Sequence, residues 1–331
     1  MTAEKPIRIE GSGTYLPRKV SSDEIEKKFN LRSNFSEKYS GVKFRHQVTF
    51  ESNGYMGARA VEKALLDANL NIEDIDALIA AGATFDYPLP NKSSVILSEI
   101  ENGNTDNITT FDVDSTCLSF VSAFEIAASM LDGEKYKRII IVSSEIASKG
   151  LNPLEPESLT LFGDGAAAFI LKYDERNKAR YYKSSFKTYK EGLNYTIIKG
   201  GGNKYHFKDY PYSPELYSFE MDGFKLLKLA KQKLPNFINL FLSSLNIETK
   251  GIDVVVPHQA SKVGLSMFKN FNVFHENQIL ENLETHGNCI AASIPILLHD
   301  SIANGKIKRD DTCLLIGTSA GFSIGALLFR Y

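Results

Sequence analysis

Cysteine is scarce in this chain: Cys117, Cys289 and Cys313 are the only three in 331 residues. An odd number in a long chain does not make a disulfide framework. No two of them are close enough in sequence for a Cys-x-x-Cys metal knuckle. The usage points to a reducing cytoplasm and gives no sign of a metal centre. No stretch approaches ~18 uninterrupted apolar residues, so a membrane-spanning helix is not expected. The start, Met1-Thr2-Ala3-Glu4-Lys5-Pro6, has no basic region leading into an apolar one, so no secretory leader is expected. An excess of one charge is missing too. Lys and Arg number 38 against 40 Asp and Glu, scattered along the chain. Neither a nucleic-acid stripe nor a charged tail is indicated.

What is present is an internal echo. A helical stretch over residues 54–70 runs into Leu70-Asn71-Ile72-Glu73, and Ile75-Asp76 then opens the strand 77–81. Residues 223–245 repeat this with Leu245-Asn246-Ile247-Glu248, and Ile252-Asp253 opens the strand 254–256. Further on, the helix 117–131 and strand 138–144 are matched by a helix 289–302 and strand 312–318. Each half closes on a glycine-led apolar strand, 163–171 and 325–329. The runs are apolar on both faces, as buried strands are. Three matches in one order predict two α/β halves, 1–173 and 174–331. Residues 174–220 have no echo. Their Tyr, Lys and Gly read as an irregular excursion that walls a substrate pocket.

Cys117 follows Asp114-Ser115-Thr116 and precedes an apolar run from Leu118 to Leu131. Ser115 or Thr116 would cap the helix. A helix apolar nearly all round belongs in the middle of a protein. Cys117 at its N-terminus would have its thiolate favoured, from a reference pKa of roughly 8.5 downward. Taken singly, Cys117 reads as a small core residue, His258 as a structural histidine and Asn288 as a left-handed residue after Gly287. The echo changes this. His258 follows the strand 254–256 at the end where open α/β sheets place their sites, and Asn288 falls nearly where Cys117 falls in the first half. Two pseudo-symmetric halves would bring all three together. Sulfur stores an acyl group as a thioester, and neutral donors from His and Asn can hold a forming enolate oxygen. The turn from Gly317 to Phe322 could bring a backbone N–H to Cys117, making an oxyanion hole with Cys117's own N–H.

At these residues the chain resembles the ketoacyl-ACP synthase III family over essentially its full length. The resemblance is carried by Gly41-Val42-Lys43-Phe44-Arg45-His46, the segment Phe111 to Cys117, and Phe162-Gly163-Asp164-Gly165-Ala166-Ala167. Val256-Pro257-His258-Gln259-Ala260, Gly287 to Pro295, and Ser319 to Gly325 complete it. It implies an α/β thiolase fold with five α-β-α-β-α layers, a homodimer, and no metal or organic cofactor. It further implies acyl transfer from acyl-CoA or acyl-ACP to Cys117, then decarboxylative condensation with a malonyl-ACP-type or β-ketoacyl thioester. His258 and Asn288 would hold the enolate, and the N–H groups of Cys117 and Ala320 the oxyanion. Phe35, Tyr87, Leu89, Ser261 and Lys262 are the expected substrate contacts. The departures matter. With no tryptophan in the chain, Phe35 stands at the adenine site; Tyr39 and Val263 replace arginines, Ser261 an asparagine and Ala320 a glycine. They put ordinary CoA binding in question and point to a specialised branch of the family.

Other readings remain open at this stage. A same-fold acyltransferase would pass the acyl group to oxygen or nitrogen without condensation. A type III polyketide synthase also uses Cys, His and Asn, with motif surroundings that match less well. A silent partner subunit would have lost its nucleophile, which this chain retains.

Overall fold

The echo is a duplicated sheet. In the computed structural model, which describes residues 4–331, one sheet runs in the order Ile7–Tyr15, Gly165–Tyr173, Arg138–Glu145, Ala77–Ala81, Thr109–Val113. The other runs Arg180–Thr188, Ser323–Arg330, Thr312–Ser319, Val254–Pro257. Both begin with two antiparallel pairings and continue in parallel. Where the first sheet adds Thr109–Val113, the second has a single parallel bridge from Val255 to Ile279. The strand Arg180–Thr188 corrects the sequence reading of 174–220. Part of that excursion does have an echo, since it occupies the sheet position of Ile7–Tyr15.

Strand alternation explains the layers. Along Ala77–Ala81, residues 77, 79 and 81 face a core shared with the helix Ser119–Met130, while Leu78 and Ala80 face the helix Asn53–Ala68. In the second sheet, Val254 and Val256 join the shared core, and Val255 packs with the helix Gly223–Ser243. The helix Ser293–Ala303 enters the shared core through Ile294, Ile296, Leu297 and Leu298. The order is therefore helix, sheet, helix pair, sheet, helix: the five layers expected of the thiolase fold. The middle helices are apolar on nearly all sides because sheets cover them on both. Each large side chain so buried contributes ~1.5–3 kcal/mol.

Polar details repeat as well. The Asp76 carboxylate accepts from the Lys137 and Arg138 N–H groups at 2.6 and 2.8 Å. Asp253 accepts from Thr312 N–H at 2.8 Å. Each aspartate ties the start of one parallel strand to its neighbour.

The helix Asn53–Ala68 lies against the strand Ile7–Tyr15 at backbone distance, which only glycine permits. A Cβ on Gly13 would sit 2.5 Å from Ala64 N and 2.6 Å from Ala60 O, and one on Gly11 2.6 Å from Ala64 O. Gly13→Ala is therefore expected to cost ~1–3 kcal/mol of stability. Denaturant unfolding with an unchanged slope and a lowered midpoint would show it.

Candidate active site

The bend at Cys117 comes first. After the strand Thr109–Val113, the chain turns through a short 3-10 segment, Thr116–Leu118, into the helix Ser119–Met130. Thr116 is left-handed, at φ 50°, a strain of ~1–3 kcal/mol for a β-branched residue. Local polar groups hold it. Asp114 accepts from Thr116 N–H at 2.8 Å, and Ser119 Oγ accepts from Ser115 N–H at 2.9 Å while donating to the Thr116 carbonyl. Neither Ser115 nor Thr116 caps the helix, contrary to the sequence expectation. Cys117 lies in the 3-10 turn just before the helix, partly buried.

The second half repeats this bend residue for residue. Ile290 is left-handed at φ 50°. Asn288 Oδ1 accepts from Ile290 N–H at 2.9 Å, and Ser293 Oγ accepts from Cys289 N–H at 2.8 Å. The register corrects the sequence reading: Asn288 is the counterpart of Asp114, and the counterpart of Cys117 is Ala291. The positive φ expected at Asn288 belongs to Gly287 and Ile290 instead. Because Oδ1 accepts from Ile290, the carboxamide orientation is set and Nδ2 becomes the free donor end. One of its hydrogens goes to the Ala260 carbonyl at 3.2 Å.

His258 continues the strand Val254–Pro257, its N–H donating to the Ile316 carbonyl at 2.8 Å. Gly317 permits the approach: a Cβ there would lie 2.7 Å from His258 Cβ and 3.4 Å from Leu118 Cδ2. Gly317 thus lies between His258 and Leu118, the residue that follows Cys117, and Asn288 reaches the carbonyl two residues after His258. The structure brings the three to one junction between the halves. Ala320 joins them, since its N–H and that of Cys117 both pull the Cys117 thiol downward. Ala320 keeps an ordinary backbone, the positive φ values in this turn falling on Gly321 and Phe322. An alanine is therefore tolerated here without strain.

The excursion supports that turn. Tyr189 N–H donates to the Phe322 carbonyl at 2.9 Å. A Cβ on Gly192 would come within 2.2 Å of Phe322 Cβ. The early and middle motifs act on Asn288 in a similar way. Buried Arg45 donates to Ser22 Oγ and the Thr160 carbonyl, and His46 O accepts from Asp164 N–H. Gly163 N–H donates to the Asn288 carbonyl, and Asn288 N–H to that of Leu161. Gly287 is required at φ 70°, with a Cβ there only 2.5 Å from the Leu161 carbonyl.

A cavity of about 450 Å³ opens above His258, lined by Leu161, Leu226, Ala260, Ser261, Gly317 and Phe322 among others. A larger hollow, lined by Glu155, Glu215, Glu220 and Asp222, touches none of the reactive groups. Of the expected substrate contacts, Ser261 lines the cavity while also capping the helix Lys262–Lys269 through Gly264 N–H. Phe35, Tyr87, Leu89 and Lys262 do not line it; Phe35 instead stacks on Tyr39, which does. Tyr87 and Leu89 are exposed. The wall comes from Met221 and the helix Gly223–Ser243, not from 174–220 as expected. The sequence reading missed this wall because nothing local shows which face of that helix meets a cavity. Among the described residues, no group of three or more His, Cys, Asp or Glu is arranged to hold a metal ion.

The electrostatics overturn one expectation. Burial, and next the Glu145 carboxylate, push the Cys117 thiol up to about 12, against the pull of the Ala320 and Cys117 N–H groups. The helix that was to favour thiolate begins two residues later, at Ser119. Burial holds His258 down at about 4. Both groups are neutral at neutral pH. Alkylation of Cys117 by iodoacetamide is therefore expected to keep accelerating past pH 9.0, the ordinary thiol value. Cys289 and Cys313 are buried and also pushed up, so labelling reports on Cys117. A rate that levels off near neutrality, followed by peptide mass, would contradict this.

Comparison with known proteins agrees with this geometry. Residues 111–190 match the family described as 3-oxoacyl-[acyl-carrier-protein (ACP)] synthase III, and residues 242–331 match its C-terminal part. The chain is 30% identical over 328 residues to a beta-ketoacyl-[acyl-carrier-protein] synthase III of Vesicomyosocius okutanii, covering 99% of each. It is 29% identical over 333 residues to the Neisseria gonorrhoeae protein of that name, covering 98% of this chain and 99% of the other. The crystal structure of the Aquifex aeolicus VF5 enzyme superposes with a TM-score of 0.87 at 25% identity, covering 99% of this chain and all of that one. The priming beta-ketosynthase of the R1128 polyketide pathway shares the fold, with a TM-score of 0.87 at 23% identity over 99% of this chain and 97% of that one. This chain therefore belongs to the beta-ketoacyl-ACP synthase III family of thiolase-fold condensing enzymes, transferases of the acyltransferase class.

Proposed function

We propose that Cys117 carries the acyl group and that His258 and Asn288 hold the enolate of the extender unit. In the first half-reaction, Cys117 Sγ bonds to the acyl carbon of a thioester donor. The donor's C–S bond breaks, and the thiol proton leaves on the departing sulfur. In the second, a malonyl-type thioester loses CO₂, and its carbonyl oxygen gains enolate charge between His258 Nε2–H and Asn288 Nδ2–H. The enolate carbon attacks the Cys117 thioester. The resulting oxyanion meets the N–H groups of Cys117 and Ala320, its collapse breaks the Cys117 C–S bond to release a β-ketoacyl thioester, and the cysteine sulfur takes up a proton from solvent.

The observation that carries this reading is a neutral His258 at the floor of a largely apolar cavity, with Asn288 bonded to the carbonyl of Ala260, which lines the same cavity. Neutrality matters, because a carboxylate at that point would repel the enolate. No resident cofactor takes part, and the cytoplasm, where carrier proteins and CoA thioesters occur, is the proposed location. No helix among the described residues is long and apolar enough to cross a membrane.

A homodimer fits the free edge of Thr109–Val113, which pairs on one side only among the described residues. The loop carrying Phe85, Tyr87 and Leu89 begins where Gly82 N–H meets the Val113 carbonyl and ends where Asp112 accepts from Lys92 and Ser93 N–H. Those three side chains are exposed. Pairing of this edge across a two-fold axis would bury them, and would carry Tyr87 and Leu89 toward the partner's site.

Two tests follow from this. Asn288→Ala should still form the acyl adduct on Cys117 by intact mass, while CO₂ release falls ~10²–10³-fold. A variant that keeps its turnover would favour simple acyl transfer to oxygen or nitrogen, and a Cys117→Ala chain that still forms adduct would refute the nucleophile. Leu89→Asp should convert a dimer to a monomer in light scattering; a wild-type monomer would remove the dimer.

A further inference from the structure

Beside His258 the outermost pairing of the second sheet breaks off. Val255 pairs with Ile279, and Leu280 N–H donates to the Val255 carbonyl at 3.0 Å. Bonds in a parallel ladder are evenly spaced, so the next would run from Asn282 N–H to the Pro257 carbonyl. The Gln259 side chain stands in its place. Its Nε2 donates to the Pro257 carbonyl at 2.9 Å, and its Oε1 accepts from Asn282 N–H at 3.2 Å and Leu283 N–H at 3.1 Å. Pro257 has no N–H of its own with which to extend the ladder. In the first sheet nothing intervenes. The pairing of Ala77–Ala81 with Thr109–Val113 runs on to Gly82, whose N–H donates to the Val113 carbonyl at 3.1 Å.

One carboxamide therefore both spaces and joins the two segments that carry His258 and Asn288. On one side lies Pro257-His258-Gln259-Ala260. On the other, Leu283 opens the short helix Leu283–His286, and its carbonyl accepts from Gly287 N–H at 2.9 Å. Asn288 follows, and its Nδ2 returns to the Ala260 carbonyl at 3.2 Å. The circuit is closed: Gln259, Leu283, Gly287, Asn288, Ala260. Gln259 is fully buried, so a side chain without the amide would leave two N–H groups and a carbonyl unpaired. It does not line the cavity, although His258 and Ala260 on either side of it do.

We propose that Gln259 is a positioning residue for the condensation half-reaction: its carboxamide, inserted where a ladder bond would lie, sets the separation between His258 and Asn288. This rests on the reading of those two residues as the enolate's donors. Acylation of Cys117 needs neither donor and is independent of that separation.

The test separates the half-reactions in the full-length enzyme. Acylation of Cys117 by an acyl thioester is followed by intact mass, which also counts the competent sites. CO₂ release from malonyl-ACP is then expressed per acylated Cys117. Gln259→Met keeps the side chain's length without the amide, and Gln259→Asn keeps the amide one methylene short. Each should acylate within about two-fold of the unsubstituted enzyme, while kcat for CO₂ release falls about ten-fold or more at a KM for malonyl-ACP within about three-fold. In an Asn288→Ala background, Gln259→Met should cost less than about three-fold further, because one of the two groups it spaces is gone. Acylation falling as far as CO₂ release, or either variant releasing CO₂ at the unsubstituted rate per acylated site, would overturn the proposal. So would a full ten-fold further loss in the Asn288→Ala background. If Asn288→Ala alone leaves CO₂ release unchanged, the reading of the donors falls, and this proposal with it.

Discussion

The shared middle layer is the constraint on which everything else hangs. Two helices, Ser119–Met130 and Ser293–Ala303, are apolar nearly all round and must be covered on both faces. Cys117 precedes the first and Asn288 the second. Once both are sandwiched between the sheets, their N-terminal approaches have to meet the strand ends of the opposite half. Packing energy spread over dozens of side chains thus sets the position of a few polar atoms.

Much of this was legible in the sequence, for a physical reason. Buried strands and helices leave long apolar runs, and a duplicated fold leaves them twice in one order. The expected convergence of Cys117, His258 and Asn288 was argued from that order. What could not be read was register. Asn288 lies three residues before the counterpart of Cys117, because the bend is defined by backbone hydrogen bonds that Ser119 and Ser293 accept, whose spacing no hydrophobic pattern reports. The strand Arg180–Thr188 was missed for a related reason. Its residues are polar and only partly covered, so no apolar run marks it, although the sheet needs a strand there. Pocket walls were misassigned because a cavity is a property of surfaces from several elements at once.

The thiol's protonation is the sharpest disagreement, and it is informative. Proximity to a helix start suggested an activated thiolate. Burial is the largest influence on the thiol and pushes it the other way. A neutral cysteine beside a neutral histidine forms a site with little fixed charge of its own. Such a site stabilises charge only where it develops during reaction, which is the condition for discriminating transition state from ground state. The nearest acid, Glu145, is held in place by Ala83 and Thr84 N–H groups and by Lys92, and burial pushes its own carboxyl up as well.

The doubled bend bears on how backbone outliers should be interpreted. A left-handed threonine beside a nucleophile invites the inference that distortion was put there for chemistry. Yet Ile290 adopts the same φ beside Ala291, which has no nucleophile. The fold contains its own control. The distortion belongs to the geometry of turning a strand into a central helix, and it would be present in a version of this protein that catalysed nothing. Reactivity at Cys117 is a matter of which side chain occupies an apex that the architecture makes anyway.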